Sequence, residues 1–222
     1  MRPRLLDLFC GAGGAAMGYH RAGFEVVGVD LHPQPHYPFE FHQADAMTFP
    51  LEGFDAIHAS PPCQRFSILR HTRIQKGMDH PDLVDPVRVR LVDSGVPWVI
   101  ENVPGAPLYP VLILCGSMFG LGSRGRQLRR HRLFESSHMM YQLQCNHVGE
   151  AVGVYGHGGN ARYVYQDGVR AGRPGHRGGY QGSAAEKREA MGVDWMNGRE
   201  LSQAIPPAYT QWIGARLMEA LR

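Results

Sequence analysis

The sequence predicts an α/β fold, Rossmann-like, built on a mostly parallel sheet. Three observations carry that expectation. Short apolar runs at residues 5–9, 25–30, 54–60 and 98–103 recur along the first half of the chain. Helical or loop stretches separate them, which is the alternation of a parallel sheet. The residues of chemical interest lie just past the runs, where open α/β sheets bind ligands.

The first run, Leu5-Leu6-Asp7-Leu8-Phe9, reads as a buried strand. It leads into Cys10-Gly11-Ala12-Gly13-Gly14 and an Ala/Met-rich helical stretch to Arg21. Glycines in such a turn let a ligand approach the backbone and aim helix N–H groups at it. The turn has neither the Gly-Lys-Ser/Thr of a Walker loop nor a clean GxGxxG. The second strand closes on Asp30, followed by Leu31, and Asp30 is placed to accept hydrogen bonds from ribose hydroxyls. Asp45, next to Ala46 after a further short segment, is placed to receive an adenine amino group. On these residues alone, a cofactor site and an ordinary tight βα turn stay equal alternatives. NAD and S-adenosylmethionine are not separated either.

Ser60-Pro61-Pro62-Cys63-Gln64 follows the third run. Two prolines ahead of a cysteine make a rigid elbow presenting one thiol. Arg65 nearby favours the thiolate that attacks. Glu101-Asn102-Val103 ends the fourth run, a neighbour of Cys63 in a parallel sheet. A carboxyl held at an apolar strand end has a raised pKa and serves as an acid.

At 222 residues, 43% hydrophobic and 19% charged, the chain suits one domain with a sizeable core and is not disordered throughout. No apolar run approaches the roughly 20 residues of a membrane span, and the N-terminus lacks a signal-peptide layout, so a cytoplasmic setting is expected. Cys10, Cys63, Cys115 and Cys145 stand far apart without CxxC spacing, which disfavours a disulfide framework or zinc ribbon. Cys115 reads as a core residue. Cys145 and His147, with His138 and His157 nearby, fit no standard zinc spacing, so no metal is expected.

Charge is uneven. Residues 1–123 carry 9 basic and 12 acidic side chains, while residues 124–190 carry 11 and 5. Arg124, Arg126, Arg129, Arg130 and Arg132 crowd into nine positions and point to a polyanion contact in that region. Eleven glycines between 149 and 182 disfavour regular structure there, with Arg162, Arg170, Arg173 and Arg177 among them. Tyr155, Tyr163, Tyr165 and Tyr180 offer stacking surfaces. From Arg199 onward, Trp212, Ile213, Leu217 and Leu221 space out one helix face that covers the sheet.

Five segments in this order resemble cytosine-C5 DNA methyltransferases: residues 7–14, Pro62-Cys63-Gln64, Glu101-Asn102-Val103, Arg130-His131-Arg132, and Gln203-Ala204-Ile205-Pro206-Pro207. The size and Arg usage resemble a phage or prophage member. The resemblance implies the fold of S-adenosylmethionine-dependent methyltransferases, with a Gly/Arg-rich insert replacing a full target-recognition domain. It implies residues 1–134 as catalytic and cofactor-binding core, 135–190 as a DNA-contacting insert, and 191–222 as a segment completing the core.

For S-adenosylmethionine, the resemblance implies Phe9 stacked on the adenine, Gly11, Ala12, Gly13 and Gly14 passing the methionine moiety, and Asp30 with Leu31 at the ribose. Asp45 and Ala46 meet the adenine edge, and Pro62, Gln203 and Ile205 complete the cofactor side. Cys63 adds to C6 of cytosine, Glu101 engages N3, Asn102 holds the Cys63 loop, and Arg130 and Arg132 grip the base and adjacent phosphate. A cytosine inside a duplex is out of reach of Cys63, so the target is flipped out or already single-stranded. Phosphate contacts would make binding steeply salt-dependent.

The chain departs from the family at Leu128, where Gln is usual and Gln127 stands one step earlier, and at Gln203, where Asn is usual. The family's target-recognition region falls where this chain is glycine-rich, which opens a role for a separate specificity protein. DNA is the expected partner and the cytoplasm, a host's if phage-encoded, the expected location. Alternatives are the same chemistry on a free deoxycytidine nucleotide or single-stranded DNA, and a non-catalytic DNA-binding module that keeps the fold. An NAD-type oxidoreductase would leave the Pro-Pro-Cys elbow without a purpose.

Overall fold

The computed structural model describes residues 1–62, 82–109, 111–155, 164–166, 169–171 and 180–221. The chain opens with β1 (Arg4–Leu8), α1 (Gly14–Ala22), β2 (Glu25–Asp30), β3 (Glu40–Gln43) and β4 (Ala56–Ala59). It continues with α2 (Val84–Asp93), β5 (Trp98–Asn102), β6 (Leu112–Leu114), a short 3₁₀ turn (Gly116–Phe119), β7 (Gly122–Ser123), β8 (Arg126–Leu128) and β9 (Arg132–Ser136). The remainder comprises β10 (Ala151–Val152), β11 (Val164–Gln166), β12 (Val169–Ala171), α3 (Ala184–Met191), α4 (Gly198–Gln203) and α5 (Pro207–Ala220).

Seven strands form one sheet in the order β3-β2-β1-β4-β5-β9-β6. The first five are parallel; β9 runs antiparallel to β5 and β6. Because the chain leaves β1 toward β2 on one side and returns to β4 on the other, a crevice opens at the strand ends between β1 and β4.

Both faces of the sheet are covered, so its inner strands are apolar on both sides. Leu5, Ala56, Val99 and Phe134 face α1 and α5 through Tyr19, Tyr209, Ile213 and Leu217. Leu6, Leu8, Ile57 and Ile100 face α2 through Val84, Val87 and Leu91. Arg88 of α2 grips Glu135 of β9 with two bonds, at 2.7 and 2.8 Å, and so fixes the helix to the sheet.

The expected elements are present, with ends moved by a residue or two. β3 escaped the apolar pattern because it is a largely exposed edge strand, Glu40-Phe41-His42-Gln43. The expected boundary after residue 134 falls inside β9. The tail is two helices, and α5 buries Tyr209, Thr210, Ile213 and Leu217.

A second sheet, β10-β8-β7, packs with α3 around Leu128, Val152, Val154, Met191 and Met196. Within the glycine-rich stretch, expected to lack regular structure, β11 and β12 pair antiparallel. Among the described residues, no helix is long and apolar enough to cross a membrane.

Candidate active site

The parallel register brings the ends of β3, β2, β1, β4 and β5 to one edge, and antiparallel β9 starts at that same edge. Asp45, Asp30, Phe9, Pro62, Glu101 and Arg132 therefore succeed one another along it.

At β1, the chain leaves the strand through Phe9, whose φ of 58° is left-handed for a residue with a side chain. Such conformations cost free energy and cluster at functional sites. Gly11 follows at φ 49°, and a Cβ there would meet nothing within 4 Å, so the turn faces open space. Its N–H donates to Asp30 Oδ2 at 3.0 Å, and the His32 N–H donates to Asp30 Oδ1 at 3.0 Å. An ionised carboxylate has about four acceptor positions, so Asp30 is oriented by the backbone and keeps lone pairs for a ligand.

Behind the turn there is no space. A Cβ on Gly14 would stand 3.2 Å from the Ile205 nitrogen and closer still to its carbonyl oxygen. Trp195 Nε1 donates to the Ala12 carbonyl at 2.8 Å. Ile205 is buried, whereas Gln203, at the end of α4, is exposed. Leu31 is exposed; Asp45 is exposed with Oδ1 accepting the Met47 N–H at 2.8 Å, and Ala46 is buried below it.

At β4, the Ser60 N–H donates to the Leu8 carbonyl at 3.1 Å and holds the following loop beside β1. Cys63, Gln64 and Arg65 lie outside the described residues. Asn102 is buried; its Nδ2 donates to the Pro61 carbonyl at 3.1 Å and its Oδ1 accepts the Val103 N–H at 2.9 Å.

Glu101 is 6% exposed. Burial raises its pKa, against opposing pulls from the Arg132 and Arg130 charges and the Ser60 hydroxyl. Arg132 Nε stands 2.9 Å from Glu101 Oε1 as an ion pair, but its N–H is not aligned, and among the described residues that buried oxygen has no hydrogen-bond partner. A buried oxygen without a donor costs free energy that a bound partner would recover.

His58 and Tyr19 stand behind Glu101 and were not singled out by their residue types. The Tyr19 hydroxyl is 2.9 Å from His58 Nδ1, and His58 Nε2 is 2.9 Å from Ser60 Oγ. Burial lowers the His58 pKa to about 3, so the ring is neutral, donating from one nitrogen and accepting at the other. A lone polar residue inside Ala56-Ile57-His58-Ala59 was the available signal. Asp7, alone among the leucines of β1, gave the same signal, and burial raises its pKa well above the usual carboxylate range.

The arginine cluster does not form a free basic face. Arg130 is 4% exposed; it donates to the carbonyls of Val154 at 2.8 Å and Ser202 at 2.7 Å, and burial lowers its pKa to about 9. Arg132 pairs with Glu101, Arg126 with Glu150 at 2.9 Å, and Arg124 with Glu186 at 2.6 Å. Arg129 donates to the Gly149 carbonyl at 2.5 Å. The clustering in sequence therefore reflects contacts across the small sheet as much as any exposed charge.

The strand order and the crevice define a Rossmann-like α/β domain of the methyltransferase type. Residues 3–106 match the C-5 cytosine-specific DNA methylase family. The Type II methyltransferase M.AquIA of Picosynechococcus sp. is 31% identical over 128 residues, which cover 47% of this chain and 50% of that protein. The chain thus spans about half the length of the curated relative it matches. Residues 3–106 thus resemble the cytosine-C5 methyltransferase family.

Solved structures agree on the fold. A DNA modification methyltransferase encoded within an E. coli prophage aligns with a TM-score of 0.61 at 14% identity, covering 99% of both chains. The S. pombe Dnmt2 methyltransferase aligns at 0.59 and 15%, covering 100% of both. Entamoeba histolytica EhMeth aligns at 0.55 and 11%, covering 100% of this chain and 99% of its own.

Proposed function

We propose that this chain transfers a methyl group to C5 of cytosine in DNA, with S-adenosylmethionine as donor and Cys63 as nucleophile. The observation that carries the reading is the buried Glu101, whose Oε1 pairs with Arg132 but accepts no hydrogen bond among the described residues, beside a Pro-Pro loop that Asn102 holds.

The residues present fit the cofactor. Gly11 faces open space at a turn braced from behind by Trp195, and Asp30 is fixed by two backbone N–H groups at the end of β2. Phe9, Gly11, Ala12, Asp30, Leu31, Asp45 and Pro62 would hold it from the front, with Gly13, Gly14 and Ile205 shaping the turn and Gln203 at its margin. When bound, S-adenosylmethionine supplies an electrophilic methyl group.

The protein groups supply the rest. The Cys63 thiolate adds to C6 of the ring. Glu101 gives its proton to N3, so the electrons displaced by that addition accumulate at C5 instead of leaving the ring anionic. Once C5 is methylated its proton passes to solvent, N3 returns its proton to Glu101, the C5–C6 double bond reforms and the thiolate departs. An acid held protonated by burial is needed for the second step, which is the direction of the Glu101 shift. The Arg132 charge beside Glu101 limits that shift.

The test is incubation of the purified chain with methyl-labelled S-adenosylmethionine and mixed-sequence DNA, followed by hydrolysis and counting of 5-methyldeoxycytidine. Wild type should incorporate label and Cys63→Ala should not. Equal labelling by the two would remove Cys63 as nucleophile. Label in dCMP or single strands but not in duplex would overturn the duplex substrate, and no label in any of them would overturn the reading.

A further inference from the structure

Four side chains that bind transition metals meet away from the crevice. Cys115 follows β6, His131 precedes β9, and Cys145 and His147 come from the irregular stretch after β9. Their ligand atoms all lie within 4.8 Å of one another. Cys115 Sγ is 3.3 Å from His147 Nε2, and Cys145 Sγ is 3.4 Å from His131 Nε2. The imidazole rings stand 5.2 Å apart at 77°, edge to face, so they converge on a point and do not stack.

Zinc–sulfur and zinc–nitrogen bonds in tetrahedral geometry separate the ligand atoms by about 3.3 to 3.8 Å. The two sulfur–nitrogen distances, 3.3 and 3.4 Å, already fall in that range. Two sulfurs and two imidazole nitrogens, without a carboxylate, are a donor set that selects zinc over harder cations.

The residues have no simpler joint purpose. Cys115 is wholly buried, yet its sulfur faces His147 and accepts from the Ser117 hydroxyl at 3.5 Å, which a packing thiol does not require. A disulfide between the two cysteines would leave two histidines converging on nothing. The histidine named from the sequence beside Cys145 and His147 is elsewhere: His138 Nδ1 lies 3.0 Å from Ser137 Oγ. His157 lies outside the described residues. The pattern was unreadable because only Cys145 and His147 are close in sequence.

We propose that Cys115, His131, Cys145 and His147 bind one zinc ion as a closed structural site. Binding releases the two thiol protons to solvent, and the two thiolates neutralise the ion. The ion joins the stretch after β9 to β6, the edge strand of the large sheet. Gln142 in that stretch already covers the edge, accepting the Ile113 N–H at 2.8 Å and donating to its carbonyl at 2.7 Å. His131 lies between Arg130 and Arg132, and successive side chains of extended backbone point to opposite sides. The ion would therefore hold one side of the segment whose other side carries Arg132 to Glu101.

The full chain, expressed with zinc in the medium and purified without chelator, should carry about one zinc per chain by mass spectrometry of the metal. Cys145→Ser and His147→Ala alter exposed residues. Each should lower zinc at least about tenfold, because three protein ligands in place of four bind more weakly. Cobalt substitution should give the charge-transfer and intense visible bands of a tetrahedral thiolate site, lost in both variants. Should a variant fail to fold, mercurial titration of wild type must release zinc in step with its thiols. Zinc-free wild type, zinc retained by the folded variants, or a Cys115–Cys145 disulfide in the freshly purified reduced protein would each overturn the proposal.

Discussion

The two flanks of the crevice are built differently. On the β1–β3 flank, Phe9, Gly11, Asp30 and Asp45 follow one another along the chain, and bonds from the Cys10 N–H to the Val29 carbonyl and from the Gly11 N–H to Asp30 link the turn to the neighbouring strand. On the β5–β9 flank, Glu101 depends on Arg132, and Arg130 depends on Val154 and Ser202. Tyr209 adds its hydroxyl to the Arg130 carbonyl at 2.5 Å from 79 residues away. The turn takes its hydrogen bonds to β2 locally and only its bracing, from Trp195 and Ile205, from a distance. A flank assembled from distant segments should lose structure and chemistry together.

Glu101→Gln is the sharpest way to separate chemistry from structure on the second flank. It keeps the shape and removes the acid, so kcat should fall about 10²- to 10⁴-fold with cofactor affinity unchanged. Because the acid form is the active one, wild-type kcat/KM should decline as pH rises through the raised Glu101 pKa. That limb should vanish in the variant, and an unchanged pH profile would remove Glu101 as the acid.

Arg130→Ala tests the distant assembly itself. It deletes two buried bonds to backbone carbonyls and should cost on the order of 3 kcal/mol, read by urea unfolding. A loss below about 1 kcal/mol would mean the flank is held by something else.

His58 tests the ground between the flanks. Its folded pKa of about 3 lies below the ordinary histidine value, so the unfolded chain takes up the proton first as pH falls. Its contribution to stability is complete above about pH 6.5 and is lost on acidification toward the folded value, by about 1.4 kcal/mol per pH unit. Wild type should therefore lose stability more steeply than His58→Gln between about pH 6 and pH 4. Parallel unfolding curves would show that His58 does not titrate on unfolding.

Trp195→Phe probes the local flank and should have the smallest effect. It removes one hydrogen bond to the Ala12 carbonyl, worth about 1 kcal/mol. Calorimetry with S-adenosylmethionine should show a few-fold weaker binding without loss of fold. A collapse of the fold would mean that the Trp195 contact holds the whole turn and not only its position.

What could be read in advance follows the same division. Glycine density at Gly11–Gly14, the acid ending β2, the paired prolines before Cys63 and the Glu101-Asn102 strand end are local patterns, legible because turn and strand chemistry act over a few residues. The arginine cluster was legible as charge but not as contacts, since Glu150, Glu186 and Ser202 reach it only after folding. β3 and β9 were missed because one is polar and the other begins inside the arginine cluster.

The sequence by itself determined the alternation of strands and helices, the order of the motifs and the residue types placed at the strand ends, because backbone preferences and apolar periodicity are local. Tertiary structure alone decided which oxygen of Glu101 lacks a donor, where the five arginines spend their hydrogen bonds, and that Cys115 and His131 join Cys145 and His147. Those outcomes depend on the antiparallel register of β9 between β5 and β6, which brings together side chains that no spacing along the chain connects.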